Sequence, residues 1–270
     1  MMTRYNWLAI ALFASLLLTS MYVYGNAALF FNPLGLLVVF SGTLGAMFLS
    51  YSSSDILASL RVAHNAYTVE PPTTDEIVDT LMDLSVRSRR KGMLALEDAE
   101  EETTVSFLKR ALEMLVDGYS ADELRDILYT EMHYFHERRI HHERLFRHAA
   151  RLAPAFGVAG SVVGLIAMLS GYGNQEFIMQ NMAVALTSIL YGIVLGNFIL
   201  NPIAENIHAK TGRELMMQKL VTDGVMAIQY EQNSVRLAKK LESFLTPAAR
   251  QASGHTFEEI RERVRKLQSE

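Results

Sequence analysis

Leu-Ala-Pro-Ala-Phe-Gly-Val-Ala-Gly-Ser-Val-Val-Gly-Leu-Ile-Ala-Met-Leu-Ser occupies positions 152–170, and Asn-Met-Ala-Val-Ala-Leu-Thr-Ser-Ile-Leu-Tyr-Gly-Ile-Val-Leu-Gly-Asn-Phe-Ile-Leu-Asn-Pro-Ile occupies 181–203. Between Arg151 and Glu205 the only charged residue is Glu176, in the polar break between the two runs. Each run is about 20 residues, or roughly 30 Å of helix, enough to cross the hydrocarbon core of a bilayer. The stretch therefore predicts a hairpin of two membrane-spanning helices. Small residues recur at four-residue steps: Gly157 with Ser161, Gly160 with Gly164, and Ser188 with Gly192 and Gly196. That spacing puts them on one face of each helix, where a second backbone can approach closely. Ordinary helix packing is one sufficient reading of this pattern.

Neither span contains Asp, Glu, Lys, Arg or His. Ionisable groups at membrane depth mark ion and proton paths, and this hairpin has none. Its polar groups are the hydroxyls and amide of Ser161, Thr187, Ser188, Tyr191 and Asn197. Their pKa values lie too far from neutrality for proton uptake and release. If protons pass here, a second protein must supply the carboxylate.

Working outward, residues Tyr5–Ser54 carry no charge. They divide into Trp7–Tyr24 and Leu34–Ser50 and predict two further spans. A cleaved signal peptide is the alternative for the first run, with Gly25-Asn26-Ala27 as the cleavage site; the length of the run and the span that follows favour a retained helix. Arg4, Arg61, Arg144, Arg147, Arg151 and Lys210 flank the spans on one side, while the loops Gly25–Asn32 and Gly171–Gln180 lack Lys and Arg. The positive-inside rule then places both termini in the cytoplasm of a bacterium, the chain lying in its inner membrane. The expected organisation is transmembrane helices 1 and 2 in 5–54, a cytoplasmic helical domain in 55–151, the hairpin in 152–203 and C-terminal cytoplasmic helices in 204–270.

The chain has 270 residues, half of them apolar, with a formal net charge of −4 and a pI near 6.1, which argues against a nucleic-acid binder. It has no cysteine, so disulfides and thiolate metal sites are excluded. No nucleotide-binding or metalloprotease motif is present, and neither an enzyme active site nor a cofactor is expected.

The cytoplasmic segments read as helices. Thr74 is placed to cap a helix from Asp75, with Ile77, Leu81, Leu84 and Val86 as its apolar stripe, and Gly92 ends it. Its last turn carries Arg87, Arg89, Arg90 and Lys91, which on spacing alone is a solvated end favourable to the helix dipole. Ser120 and Glu123 form a capping-box pattern, after which a long helix is predicted to run through Pro154 to Ser170. His133, His136, Glu137 and His141 could share a face as metal ligands do, but the surrounding ion-pairing pattern favours a plain polar helix and no metal. The arginines beside them are expected at anionic lipid headgroups.

Ala-Pro-Ala-Phe-Gly-x-x-Gly-Ser-x-x-Gly-Leu from Ala153 to Leu165, Met-Ala-Val-Ala-Leu from Met182, Leu-Tyr-Gly from Leu190 and Asn-Pro-Ile-Ala from Asn201 resemble the MotA/PomA family, the membrane subunits of the flagellar stator. Phe40-Ser-Gly-Thr-Leu-Gly-Ala46 resembles the second helix of that family, and Gly224–Gln229 and Phe244–Arg250 its C-terminal domain, although Asn233-Ser-Val-Arg236 departs from the usual Asn-Pro-Arg. The resemblance implies an all-helical membrane protein with four spans. Five copies would surround two MotB-like single-span subunits, each giving an ion-carrying Asp. It implies that Arg89, Arg90 and Glu97 meet the rotor switch protein, and that Pro154 and Pro202 couple ion passage to movement. Ser161, Thr187, Ser188 and Tyr191 then line the ion path, and Gly157, Gly160, Gly164, Gly192 and Gly196 pack its walls. Sodium-driven members carry two adjacent hydroxyls before the Leu-Tyr-Gly; here Ile189 follows Ser188, which favours protons. Two alternatives stay open: a related ExbB/TolQ-like motor energising another process, and a membrane-anchored metal-binding scaffold without ion flux.

Overall fold

The computed structural model describes residues 30–69, 72–97, 103, 105–171 and 173–230, with isolated positions in 12–23 and 237–244. The expected first span, Trp7–Tyr24, lies largely outside the described residues, as do Asn233–Arg236 and the tail from Gly254. The regular elements among the described residues are all helical: α1 Pro33–Ser50, α2 Ser53–Thr68, α3 Thr74–Lys91, a 3-10 turn Met93–Leu96, α4 Ser106–Val116, α5 Ala121–Ser170, α6 Gln175–Ile193, a π-helix Val194–Leu200 and α7 Asn201–Gln229. Three of these stretches are long and apolar enough to cross a membrane, within Pro33–Ser50, Ala121–Ser170 and Gln175–Gln229.

The chain divides into two compact units, 1–70 with 139–210 and 71–138 with 211–270. In the first, α1 starts at Pro33, where a missing N–H costs nothing, and the Asn32 side chain accepts from the Leu34 and Gly35 amides at 3.1 Å. At the end of α2, the buried Lys210 ammonium donates to the carbonyls of Asn65 and Val69, each at 2.7 Å. A lysine there adds a donor to carbonyls at the helix end and opposes the negative end of its dipole. Ala63, Phe146, Ala204 and Ile207 form one small core, and Met47, Leu145 and Ala149 another. Many large apolar side chains of this unit are exposed, among them Leu37, Leu44, Leu49, Val162, Ile166, Leu169 and Leu186. On a span that is lipid-facing surface, where water offers no competing drive to bury it.

The second unit has a conventional water-excluding core of Ile77, Leu81, Leu108, Leu112, Leu124, Leu128, Leu220, Leu237 and Leu241. Thr73, not Thr74, caps α3: its hydroxyl accepts from the Glu76 amide at 3.3 Å while Glu76 accepts from the Thr73 amide at 3.0 Å. The reason is spacing, since only Thr73 has a glutamate three residues on. Ile77, Leu81 and Leu84 are buried with Val78 and Met82, while Val86 is half-buried. Gly92 ends the helix at φ 82°, a conformation that favours glycine. Ser120 and Glu123 form the reciprocal cap of the long helix, with Glu123 drawn below its ordinary pKa by the Ser120 hydroxyl and amide.

Two boundaries of the hairpin differ from the sequence reading. The second helix begins at Gln175, capped by the Asn174 side chain accepting from the Phe177 amide at 3.1 Å. Glu176, Gln180 and Asn181 therefore sit within a helix, because polar residues at a water-facing helix end do not break it. Near the other end the backbone widens into the seven-residue π-helix before Pro202. Proline has no N–H and clashes with the carbonyl four residues back, so a shift to five-residue hydrogen bonds, seen in Asn201 N–H to Gly196 O, carries the helix through it.

Candidate ion path and charged helix end

The hairpin closes along its glycines. A Cβ built on Gly164 would stand 2.8 Å from the Ala185 amide nitrogen, one on Gly157 2.9 Å from the Ser188 carbonyl oxygen, and one on Gly192 2.6 Å from the Ala153 carbonyl oxygen. On Gly196 it would stand 2.6 Å from the Ala150 carbonyl oxygen and 2.9 Å from Pro154 Cδ. The close atoms are mostly backbone, so no neighbouring side chain can swing aside. Only Gly fits where α5 meets α6 and the π-helix. Without a hydrophobic drive between helices in lipid, such close packing supplies much of the association energy.

Pro154 lies inside the continuous α5. Its missing N–H leaves the Ala150 carbonyl without its helical partner, and that carbonyl faces Gly196. Pro154 and the π-helix preceding Pro202 thus face each other across one glycine contact.

The hydroxyls are gathered by the same seam. Ser188 is fully buried, with its Oγ 2.9 Å from where a Cβ on Gly35 of α1 or Gly160 of α5 would be. Thr187 Oγ1 stands 3.1 Å from the same Gly35 position. Both donate back along their own helix, Thr187 to Ala183 O and Ser188 to Val184 O, each at 2.7 Å. Their protons are therefore used and only lone pairs remain to offer. Ser161 is 9% exposed, and its hydroxyl has no partner among the described residues. A buried set that presents acceptors suits a cation better than an anion. Thr43, which the sequence reading did not single out, is a further buried hydroxyl, donating to Val39 O at 2.7 Å. Its place in the Phe40–Ala46 motif was the available signal.

Tyr191 does something periodicity could not show. Its hydroxyl donates to Phe30 O at 2.5 Å and accepts from the Asn32 amide at 2.7 Å. It holds the chain entering α1 against α6, 159 to 161 residues away in sequence.

In the other unit, Arg89, Arg90 and Lys91 form the last turn of α3, and Glu97 follows the 3-10 turn. All four are exposed. The helix end favours cationic side chains, and charges this exposed lose little hydration when a partner meets them. Among the described residues, no three or more of His, Cys, Asp and Glu converge as a metal site requires. His133 instead stacks edge-on against Tyr134, with ring centroids 5.7 Å apart.

Comparison with known proteins accords with this geometry. The description of the MotA/TolQ/ExbB proton channel family matches residues 99–219. The chemotaxis protein PomA of Vibrio alginolyticus is 30% identical over 226 residues, covering 84% of this chain and 88% of that one. Motility protein A of Treponema phagedenis is 31% identical over 223 residues, covering 83% and 86%. The flagellar MotAB stator complex of Bacillus subtilis superimposes with a TM-score of 0.84 at 27% identity, over 91% of this chain and 97% of that one. The all-helical fold is MotAB-like, and the apolar helices make this a multi-pass membrane protein. The matching family is one of proton channels, and the relatives are named for motility and chemotaxis. The chain belongs to the MotA/TolQ/ExbB proton channel family.

Proposed function

We propose that this chain is a flagellar stator subunit that, with a MotB-like single-span partner, forms a proton path and converts proton flow into torque on the rotor. The observation that carries this reading is the hairpin: a tightly closed seam with buried hydroxyl acceptors and no Asp, Glu, Lys, Arg or His within residues 152–170 and 181–203. Such a wall can guide a proton but cannot bind and release one, so an Asp on the partner's helix does that work. Ser161, Thr187, Ser188 and Tyr191 line the path. Their acceptor number falls short of what replaces a sodium ion's water, which favours protons. Copies assemble as a pentamer around the partner helices, in the bacterial inner membrane and in contact with its lipid.

The reading includes four spans, with Trp7–Tyr24 as the first and both termini cytoplasmic. The chain has no cysteine of its own, so single cysteines report this topology directly. Cysteines at Asn26 and Gly173 react with an impermeant maleimide from the periplasm and one at Ser88 does not; the reverse pattern refutes the orientation.

In the cytoplasm, Arg89, Arg90 and Glu97 push successive subunits of the rotor switch protein. Exposed charge pairs contribute only about 0–1 kcal/mol each, which suits a contact made and broken at every step. Proton passage moves these charges through Pro154 and Pro202. The test is the double reversal Arg89→Glu with Glu97→Arg, which abolishes swimming while the protein stays in the membrane at wild-type amounts. Normal swimming of that variant contradicts the assignment, and would turn attention to a non-flagellar motor of the ExbB/TolQ kind.

A further inference from the structure

At the end of the uncharged stretch of α5 a cleft of about 590 Å³ opens between α5, the π-helix and the end of α1. Its volume falls in the range of small-molecule sites, about 300–1,000 Å³. One wall is Arg144, Arg147, His148 and Arg151, positions spaced to share a single face of α5. The other wall offers Asn197 of the π-helix and Asn201 at the start of α7. Among the described residues no acidic side chain lines the cleft. Arg147 is fixed from behind, its Nε 2.7 Å from Glu143 Oε1 and its Nη1 2.9 Å from Glu205 Oε1. That neutralises its charge but leaves further N–H donors in a set orientation. Arg144 and Arg151 form no ion pair among the described residues, so the cleft keeps an excess of positive charge.

Its position identifies the ligand. Arg151 is the last charge before the uncharged run to Gln175, and Tyr51 of the cleft follows directly on the apolar helix α1. Tyrosine and arginine at that place mark the boundary between hydrocarbon and headgroups. Basic pockets between spans on the cytoplasmic side suit phosphate-bearing lipid headgroups. We propose that this cleft is a specific site for the phosphodiester headgroup of an anionic glycerophospholipid of the inner leaflet. Arg144 and Arg151 supply the charge, Arg147 an oriented donor fork, and the two asparagines neutral donors to the remaining oxygens. The cleft is also lined by Ala150, whose carbonyl meets Gly196 opposite Pro154. A bound headgroup therefore braces the crossing of α5 and the π-helix. The inference rests on the membrane placement proposed above, but not on torque or on the partner's carboxylate.

The experiment uses the chain purified with its partner in a neutral detergent. Thermal unfolding and native mass spectrometry are recorded with dioleoylphosphatidylglycerol, with dioleoylphosphatidylcholine, or with inorganic phosphate. The site predicts a raised unfolding midpoint and retained adducts with phosphatidylglycerol only. Arg144→Gln with Arg151→Gln should weaken lipid binding by roughly tenfold or more, since each removes a charge-assisted contact. The control Arg125→Gln with Arg138→Gln removes equal charge elsewhere and should leave the shift intact. An equal shift with phosphate alone, an undiminished shift in the Arg144/Arg151 variant, or no shift with any lipid each overturns the proposal. If the rotor-charge reversal stops swimming while the lipid shift is absent, the site alone has failed. If the lipid shift is present while that reversal swims normally, the stator reading alone has failed.

Discussion

Replacing Gly192 by alanine tests the hairpin seam most sharply. The added methyl would stand 2.6 Å from Ala153 O, 3.0 Å from Gly157 Cα and 3.1 Å from Pro154 Cα, all backbone atoms of α5. Ordinary contact begins at 3.4 Å, so the helices must part locally by about 0.8 Å. Overpacking of this kind costs about 1–3 kcal/mol. Alanine also favours a helix over glycine by about 1 kcal/mol, which works in the opposite direction. Gly212→Ala isolates that gain, because its methyl meets nothing within 4 Å. The relevant quantity is the difference between the two variants. At about 2–4 °C per kcal/mol for a chain of this size, Gly192→Ala should unfold several degrees below Gly212→Ala in the purified complex. It should also swim poorly at normal membrane abundance, since the displaced crossing is the one that holds Pro154. Equal unfolding midpoints with full swimming would refute the seam as the closing contact of the path.

Other consequences follow from the same structure. Pro154→Ala returns an N–H donor to Ala150 O and straightens the α5 ladder, so torque should fall while abundance holds; full torque removes the hinge. Glu143, mostly buried, accepts from Arg147 at 2.7 Å and His208 at 2.9 Å. Burial works against its charge, but these hydrogen bonds prevail and hold its pKa below the usual 4.5. A depressed carboxylate contributes stability that is present above that value and lost as pH falls through the native pKa. Glu143→Gln should therefore lower the unfolding midpoint at pH 7 by the equivalent of about 1 kcal/mol, the partners Arg147 and His208 being 38% and 66% exposed and so partly screened. The gap from wild type should close as pH falls below the usual carboxylate range and through the lowered native pKa; a gap independent of pH contradicts the ion-pair account.

Much of the architecture could be read from the residues because local chemistry decided it. Ser120 with Glu123, Gly92 and the unbroken run into Pro154 each specify a helix end or its continuation without help from distant parts. The cap expected at Thr74 and found at Thr73 shows the limit of such reading: two adjacent threonines both suit the role, and only the glutamate three residues beyond one of them chooses. The π-helix was signalled by Pro202 but not determined by it, since a kink would also accommodate the missing donor. The Tyr191 clasp could not be seen at all, as it joins a hydroxyl to main-chain groups far away in sequence. Glycine spacing gave the seam, whereas which hydroxyl meets which glycine required the crossing of three helices.

The most direct test is ion flux in liposomes loaded with a pH-sensitive dye, in sodium-free buffer. With the chain alone no selective proton flux should occur. With its single-span partner present, protons should pass, and changing that partner's membrane Asp to Asn should stop them. Selective proton passage by the chain alone would contradict the claim that this hairpin depends on a carboxylate from another protein.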